Sequence, residues 1–293
     1  MHSENIYISS TCFKSDVLGR LIPEGIKGLE LSGNCRFQTT EIIENALKKI
    51  KDSGVNLLIH GYFPPPAESF ILNFASADAG VVDRSLELAG NAIRLCAALD
   101  IPYYSFHPGY LYDGSENSKG NFDFNPDSFL SYENALGHFH SNYGVLHSAA
   151  DKHGMKLAVE NLFIGRNNVK NSLNNSLEEI EALMSRIPKD AGLLLDLGHL
   201  NISAYHLGFS VNVFLKEYVR KFQNRIFEIH LSSNDGTFDN HEPLSENDWQ
   251  LDALKMFKDC PGVKNKGVNL TLESRNLDDD LILKIHGMIE KAF

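Results

Sequence analysis

Six short apolar runs in this chain end on a side chain able to ligate a metal or move a proton. They are Leu57-Leu58-Ile59-His60, Tyr104-Ser105-Phe106-His107, Leu157-Ala158-Val159-Glu160, Leu193-Leu194-Leu195-Asp196, Glu228-Ile229-His230 and Leu270-Thr271-Leu272-Glu273. A lone histidine at a strand end usually packs or hydrogen-bonds, and a lone glutamate commonly pairs with an arginine. Two Glu, one Asp and three His buried together are another matter, because their desolvation is costly unless a cation offsets it. Mixed imidazole and carboxylate donors suit Zn, Mn, Fe, Co or Ni better than Ca. Nearby stand His199, three residues after Asp196, and the extended Asp239-Asn240-His241, whose alternate side chains point the same way.

For these side chains to meet, parallel strands must all open on one face. The strand candidates are Ile6–Ser9, Gly28–Leu31, Val55–His60, Pro102–His107, Lys156–Glu160, Leu193–Asp196, Ile226–Leu231 and Val268–Glu273. Helical spacing predicts helices over Lys14–Leu21, Thr40–Ser53, Val81–Leu99, Pro126–His153, Leu177–Ile187, Val211–Phe222, Glu246–Lys258 and Asp278–Phe293. Ser176-Leu-Glu-Glu179 reads as a capping box, and Gly54, Gly154 and Gly262 as left-handed residues near helix ends. Eight strand-helix units without a linker predict an α/β fold, a single (β/α)8 TIM barrel over residues 1–293. Its active site belongs at the C-terminal ends of the strands. An open doubly wound sheet is the alternative, weakened by the lack of a Gly-x-Gly-x-x-Gly turn. Two long insertions, Gly61–Gly80 and Gly109–Asn125, follow strands and belong over the barrel mouth as a lid or substrate wall. His138, His140, His147, His153, His206 and His286 fall in helical stretches and are assigned to the outer ring.

Composition narrows the partners. In 293 residues, 38 Asp and Glu against 27 Lys and Arg give a formal net charge of −11, with 43% hydrophobic residues, which excludes disorder and fibres. No membrane span and no signal-peptide pattern is read, so a cytoplasmic enzyme is expected. Cys12, Cys35, Cys96 and Cys260 are scattered and read as reduced thiols. An enzyme gripping duplex DNA needs basic mouth loops. Residues 61–80 contain none and 109–125 only Lys119, leaving Arg36, Arg166 and Lys170 as the main alternatives. Nucleic acid is therefore disfavoured, a small molecule favoured, and a homo-oligomer left open.

Taken in order, His60, His107-Pro-Gly109, Glu160-Asn161, Asp196-x-x-His199, His230-Leu231, Asp239-x-His241 and Glu273 resemble the xylose isomerase-like TIM-barrel superfamily. That group joins sugar and sugar-phosphate isomerases and epimerases with the endonuclease IV group of apurinic endonucleases. In the isomerase and epimerase branch, the resemblance implies that Glu160, Asp196, His230 and Glu273 bind one divalent metal (Zn, Mn, Co or Mg). Glu160 and Glu273 would exchange the proton, and His199 would contact substrate oxygens. In the endonuclease branch the same four are joined by His60, His107, His199, Asp239 and His241, and the set holds three zinc ions with Glu160 bridging two. All of these positions are filled here. The chain departs from the endonuclease pattern at Tyr110 after His107-Pro-Gly, at Leu162-Phe163 after Glu160-Asn161, and in Asp196-Leu-Gly-His199, which lacks Thr-Cys.

Removing a proton beside a carbonyl creates an enediolate-like anion, which a metal on the oxygens stabilises while the two glutamates act as base and acid. Arg275 is a candidate for a substrate carboxylate or phosphate, with an ordinary salt bridge as its plainer role. Tyr62, Phe63, Tyr110 and Phe163 are candidates for a substrate wall, or for packing. The expected activity is therefore isomerisation or epimerisation of a small sugar, sugar phosphate or polyol derivative. Metal-dependent phosphodiester hydrolysis is the alternative, and a non-catalytic metal-binding barrel a third reading.

Overall fold

A computed structural model describes residues 5–116, 122–165 and 169–293. Lys119 and Arg166 lie outside the described residues. Eight parallel strands close into a barrel: β1 (Ile6–Ser9), β2 (Gly28–Leu31), β3 (Asn56–His60), β4 (Tyr103–Phe106), β7 (Lys156–Glu160), β8 (Gly192–Asp196), β9 (Ile226–Leu231) and β10 (Asn269–Leu272). Around the barrel the order is β1, β10, β9, β8, β7, β4, β3, β2. These strands are largely apolar because helices cover them outside and side chains fill them inside. Their burial is near complete, with Ile8, Leu29, Leu58, Ile59, Val159 and Ile229 fully enclosed.

The helices are α1 (Thr40–Asp52), α2 (Ala79–Ala98), α3 (Tyr132–Asp151), α4 (Leu177–Met184), α5 (Leu197–Leu207), α6 (Val211–Phe222), α7 (Trp249–Lys258), α8 (Pro261–Lys266) and α9 (Asp279–Ala292). A full helix over Lys14–Leu21 does not form. Only a 3-10 turn at Val17–Gly19 appears there, capped by Asp16, because Gly19 and nearby Pro23 leave too few residues to repay nucleation. The stretch Pro126–His153 divides at Ser131, whose side chain caps Asn134 N and starts α3. Residues 185–187 drop out of α4 ahead of Pro188, which disfavours helical geometry just before it. The capping box is half realised: Ser176 accepts from Glu179 N, but Glu179 reaches Asn175 N rather than the cap itself. Gly54 (φ 88°) and Gly154 (φ 64°) are left-handed, whereas Gly262 lies inside α8, against the Gln223 carbonyl, and Gly267 (φ 76°) takes the left-handed role.

The two insertions are interlocked at the mouth. Between β4 and α3 the chain forms an antiparallel hairpin, β5 (Gly114–Glu116) with β6 (Phe122–Phe124). Asn73 from the first insertion donates to Asp113 Oδ1 at 2.9 Å, and Ser76 donates to Asp113 Oδ2 at 2.8 Å. Above the main core sits a second apolar cluster of Ile71, Tyr110 and Leu162, packed by Phe122 and Phe124. Among the described residues no helix is long and apolar enough to cross a membrane. Cys12, Cys96 and Cys260 are buried and Cys35 half-buried, all as free thiols.

Candidate metal centre

The strands bring the sequence candidates together. Cross-strand register sets Asp196 beside His230, and His60 beside Ser105. Asp196 is the last residue of β8 and also the N-cap of α5, its Oδ1 accepting from His199 N at 2.7 Å. The helix starts without a loop, so the Asp-x-x-His spacing is a capping turn that holds His199 above its own cap residue. Asn161 fixes the same corner from β7, its Oδ1 accepting from Asp196 N at 2.7 Å and its amide donating to Asp196 O at 3.0 Å.

Glu160 is the hub. Its Oε2 lies 3.2 Å from His60 Nε2 and 3.1 Å from His107 Nε2, and its Oε1 lies 3.1 Å from His199 Nδ1. On one side His230 Nδ1 faces Glu273 Oε2 at 3.2 Å and Asp196 Oδ2 at 3.9 Å. On another, Asp239 Oδ2 sits 2.8 Å from His241 Nε2 and 3.7 Å from His199 Nε2. His60–His107–Glu160 and Asp196–His230–Glu273 each place their ligand atoms within 4.8 Å of one another, as do Glu160–Asp196–His199 and Glu30–His60–His230. In the third of these groups, His199 Nδ1 is already bonded to the Asn161 carbonyl at 2.9 Å, so Nε2 is its available nitrogen.

A cation fits this donor set. Both Glu160 oxygens, Asp196 Oδ2 and Asp239 Oδ1 are buried without a hydrogen-bond partner, an arrangement costly in a carboxylate and resolved by a metal. Most of the imidazoles are braced on one nitrogen and open on the other. His60 Nδ1 meets Ser105 Oγ at 3.1 Å, His241 Nδ1 donates to Glu273 O at 2.8 Å, and His107 Nδ1 lies 3.4 Å from the Tyr110 hydroxyl. Such bracing fixes the tautomer that presents a lone pair inward.

Burial and neighbouring charges oppose one another at each group in the cluster. Burial pushes His60 down to about 4, leaving a neutral ring. Burial alone would raise Glu160, but His107 and His60 hold it well below the usual carboxylate range. Burial also works against ionised Glu273, yet His230 and His241 bring it to about 2. His241 overcomes its burial through Asp239 and rises to about 9. Burial lifts Asp196 to about 6 against the opposing pull of His199.

Around this centre, the ring of Phe163 lies 4.8 Å from that of His199, and Tyr110 is buried between His107 and the rings of Phe122 and Phe124. The hydroxyl of Tyr62 accepts from Leu72 N at 2.7 Å, tying down the first mouth loop, while Arg275 stands exposed at the rim with its amide on His241 O. Phe63 is fully buried. Sequence reasoning missed Glu30 and Glu228. Both are fully buried, with Glu30 Oε2 3.0 Å and Glu228 Oε1 3.5 Å from His230 Nε2. The available signal was an acid in the interior of a short apolar strand, where position along the strand counts as much as its end.

The His107-Pro-Gly turn depends on Gly109. At φ +130° it occupies a region that L residues rarely enter, and an added Cβ would lie 2.4 Å from Asn73 Oδ1, which accepts from Tyr110 N at 2.9 Å. Gly109→Ala is expected to destabilise the chain by about 1–3 kcal/mol. Thermal unfolding checks this, and an unchanged midpoint would show that the mouth loops do not rely on the turn.

Comparison with known proteins agrees with this architecture. A family model described as "Xylose isomerase-like TIM barrel" matches residues 24–278. The "Probable endonuclease 4" of Thermosipho africanus (strain TCF52B) is 24% identical over 240 residues, covering 75% of this chain and 71% of that protein. A crystal structure of a "D-tagatose 3-epimerase-like protein" superposes with a TM-score of 0.72 at 20% identity, covering 98% of this chain and 96% of the other. D-psicose 3-epimerase from Clostridium cellulolyticum H10 superposes with a TM-score of 0.65 at 10% identity, over 98% and 96%. At these identities the superpositions speak for the fold, while the family model spans most of the chain. The protein belongs to the xylose isomerase-like TIM-barrel family.

Proposed function

We propose that the chain is a divalent-metal-dependent isomerase or epimerase of a small sugar, sugar phosphate or polyol derivative. In this reading Glu160, Asp196, His230 and Glu273 hold the principal metal, and Glu160 and Glu273 transfer the proton. The observation that carries it is the placing of Glu160 and Glu273 at one buried cluster with Asp196 and His230, beside aromatic rings that can exclude water. When bound, the metal would polarise the substrate oxygens and offset the charge that develops as the proton leaves. The imidazoles of His107 and His60 beside Glu160, and of His230 and His241 beside Glu273, favour the carboxylate form, which suits the glutamate that takes the proton; the other must carry a proton to return it. Tyr110 and Phe163 would line the substrate, and His199 and Arg275 would contact its oxygens or a charged group on it.

A second reading, metal-dependent phosphodiester hydrolysis, is favoured by the filled His60–His107–Glu160 group and the neighbouring His199, Asp239 and His241, which could hold further ions.

The test is proton exchange. The full chain, purified without chelators and loaded with Mn²⁺ or Co²⁺, is incubated in D₂O with D-psicose, D-tagatose and a panel of ketose and aldose phosphates. NMR is expected to show deuterium entering the carbon next to the carbonyl. No exchange across the panel, together with cleavage of duplex DNA at an abasic site and three metals per chain, would replace this reading with the second.

A further inference from the structure

Among the imidazoles at the centre, His230 is turned the other way. His60, His107, His199 and His241 all meet a neighbouring group at Nδ1 and direct Nε2 inward. His230 directs Nδ1 toward Glu273 Oε2 (3.2 Å) and Asp196 Oδ2 (3.9 Å), and its Nε2 lies 3.0 Å from Glu30 Oε2. Without an acceptor on that side, the ring could place its proton on either nitrogen or flip.

We infer that Glu30, from the interior of β2, is a positioning residue that fixes His230 with Nε2 protonated and Nδ1 presented to the metal. The inference rests on the proposed metal site. Glu30 is fully buried and its Oε1 has no hydrogen-bond partner, so its polar contact is spent on His230. Glu228 also approaches Nε2, at 3.5 Å, but its oxygens are taken up by the Thr271 hydroxyl at 2.5 Å and the Tyr103 hydroxyl at 3.0 Å. Glu228 therefore anchors the floor of the barrel, and Glu30 holds the ring. A carboxylate behind a ligating imidazole sets its tautomer and strengthens it as a donor, and removing such a partner commonly costs about 10–100-fold in metal affinity.

The test measures Zn²⁺ affinity of the full, chelator-stripped chain by competition with a chromophoric chelator. Glu30→Leu, which removes the acceptor at similar volume, is expected to weaken binding about 10–100-fold. Glu30→Gln, which keeps an acceptor oxygen, is expected to recover most of that loss. An equal loss in both variants would overturn the tautomer role in favour of net charge, and wild-type affinity in a folded Glu30→Leu would overturn it outright. A measurement on the wild type covers the case in which the variants do not fold. In the Zn²⁺-loaded, ¹⁵N-histidine-labelled chain, the His230 signals, identified by their loss in His230→Gln, should show a protonated Nε2 and a zinc-bound Nδ1. Zinc on Nε2 overturns the inference. A wild-type chain that takes up no zinc removes the proposed metal site itself, whereas zinc uptake unaffected by Glu30→Leu removes this inference alone.

Discussion

Glu160→Gln is expected to lower turnover by at least about 10³-fold and to strip the centre of metal in the same step. General acid-base groups contribute typically about 10²–10⁴-fold, and here the same side chain is also the junction of the cluster. His60 and His107 converge on one of its oxygens and His199 on the other, at 3.1–3.2 Å. An amide replaces one of those acceptors with a donor and removes the charge that offsets a cation. Glu273→Gln should separate the two effects: it leaves Glu160, Asp196 and His230 in place, so metal is kept while turnover falls. Turnover and metal content by elemental analysis, measured on both variants, decide the matter. If Glu160→Gln and Asp196→Asn both keep a full complement of metal, the site is wrongly assigned.

The barrel and most of this cluster were legible in the sequence because parallel strands buried on both faces read as continuous apolar runs, and their last residue is where function is displayed. His60, Glu160, Asp196, His230 and Glu273 follow that rule, and the structure brings them into one cluster. Three features escaped it. The helix α5 was not read, because a helix that begins directly after the last strand residue leaves no turn residues to mark its start. Glu30 and Glu228 were hidden because a charge inside a strand has no pattern of its own, and its partner, His230, is 200 positions from Glu30 in the chain. The hairpin of β5 and β6 lies in a stretch of Gly, Ser, Asn and Asp whose composition describes a loop as well as it describes a turn between two short strands.

Raising the pH from 6.5 to 9 is expected to destabilise the metal-free chain by on the order of 3 kcal/mol. His241 titrates near 9 in the fold against an ordinary 6.5, because Asp239 beside it outweighs the effect of burial. A raised folded value means that its stabilisation is complete below 6.5 and is lost as pH climbs through 9. Glu273 works at the opposite end. Depressed to about 2 from 4.5, it contributes fully above 4.5 and loses that contribution as pH falls through 2. A bound principal metal changes the alkaline response only at His230, whose ligating nitrogen has already given up its proton, so rising pH tightens binding there while the loss at His241 remains. Thermal unfolding at pH 6.5 and 9, with chelator and with saturating metal, measures the difference. A metal-free chain equally stable at both values would mean that the Asp239–His241 pair does not carry its charge in the fold. A metal-loaded chain that keeps its stability while the metal-free chain loses it would place a cation at His241 as well, as the hydrolytic reading requires.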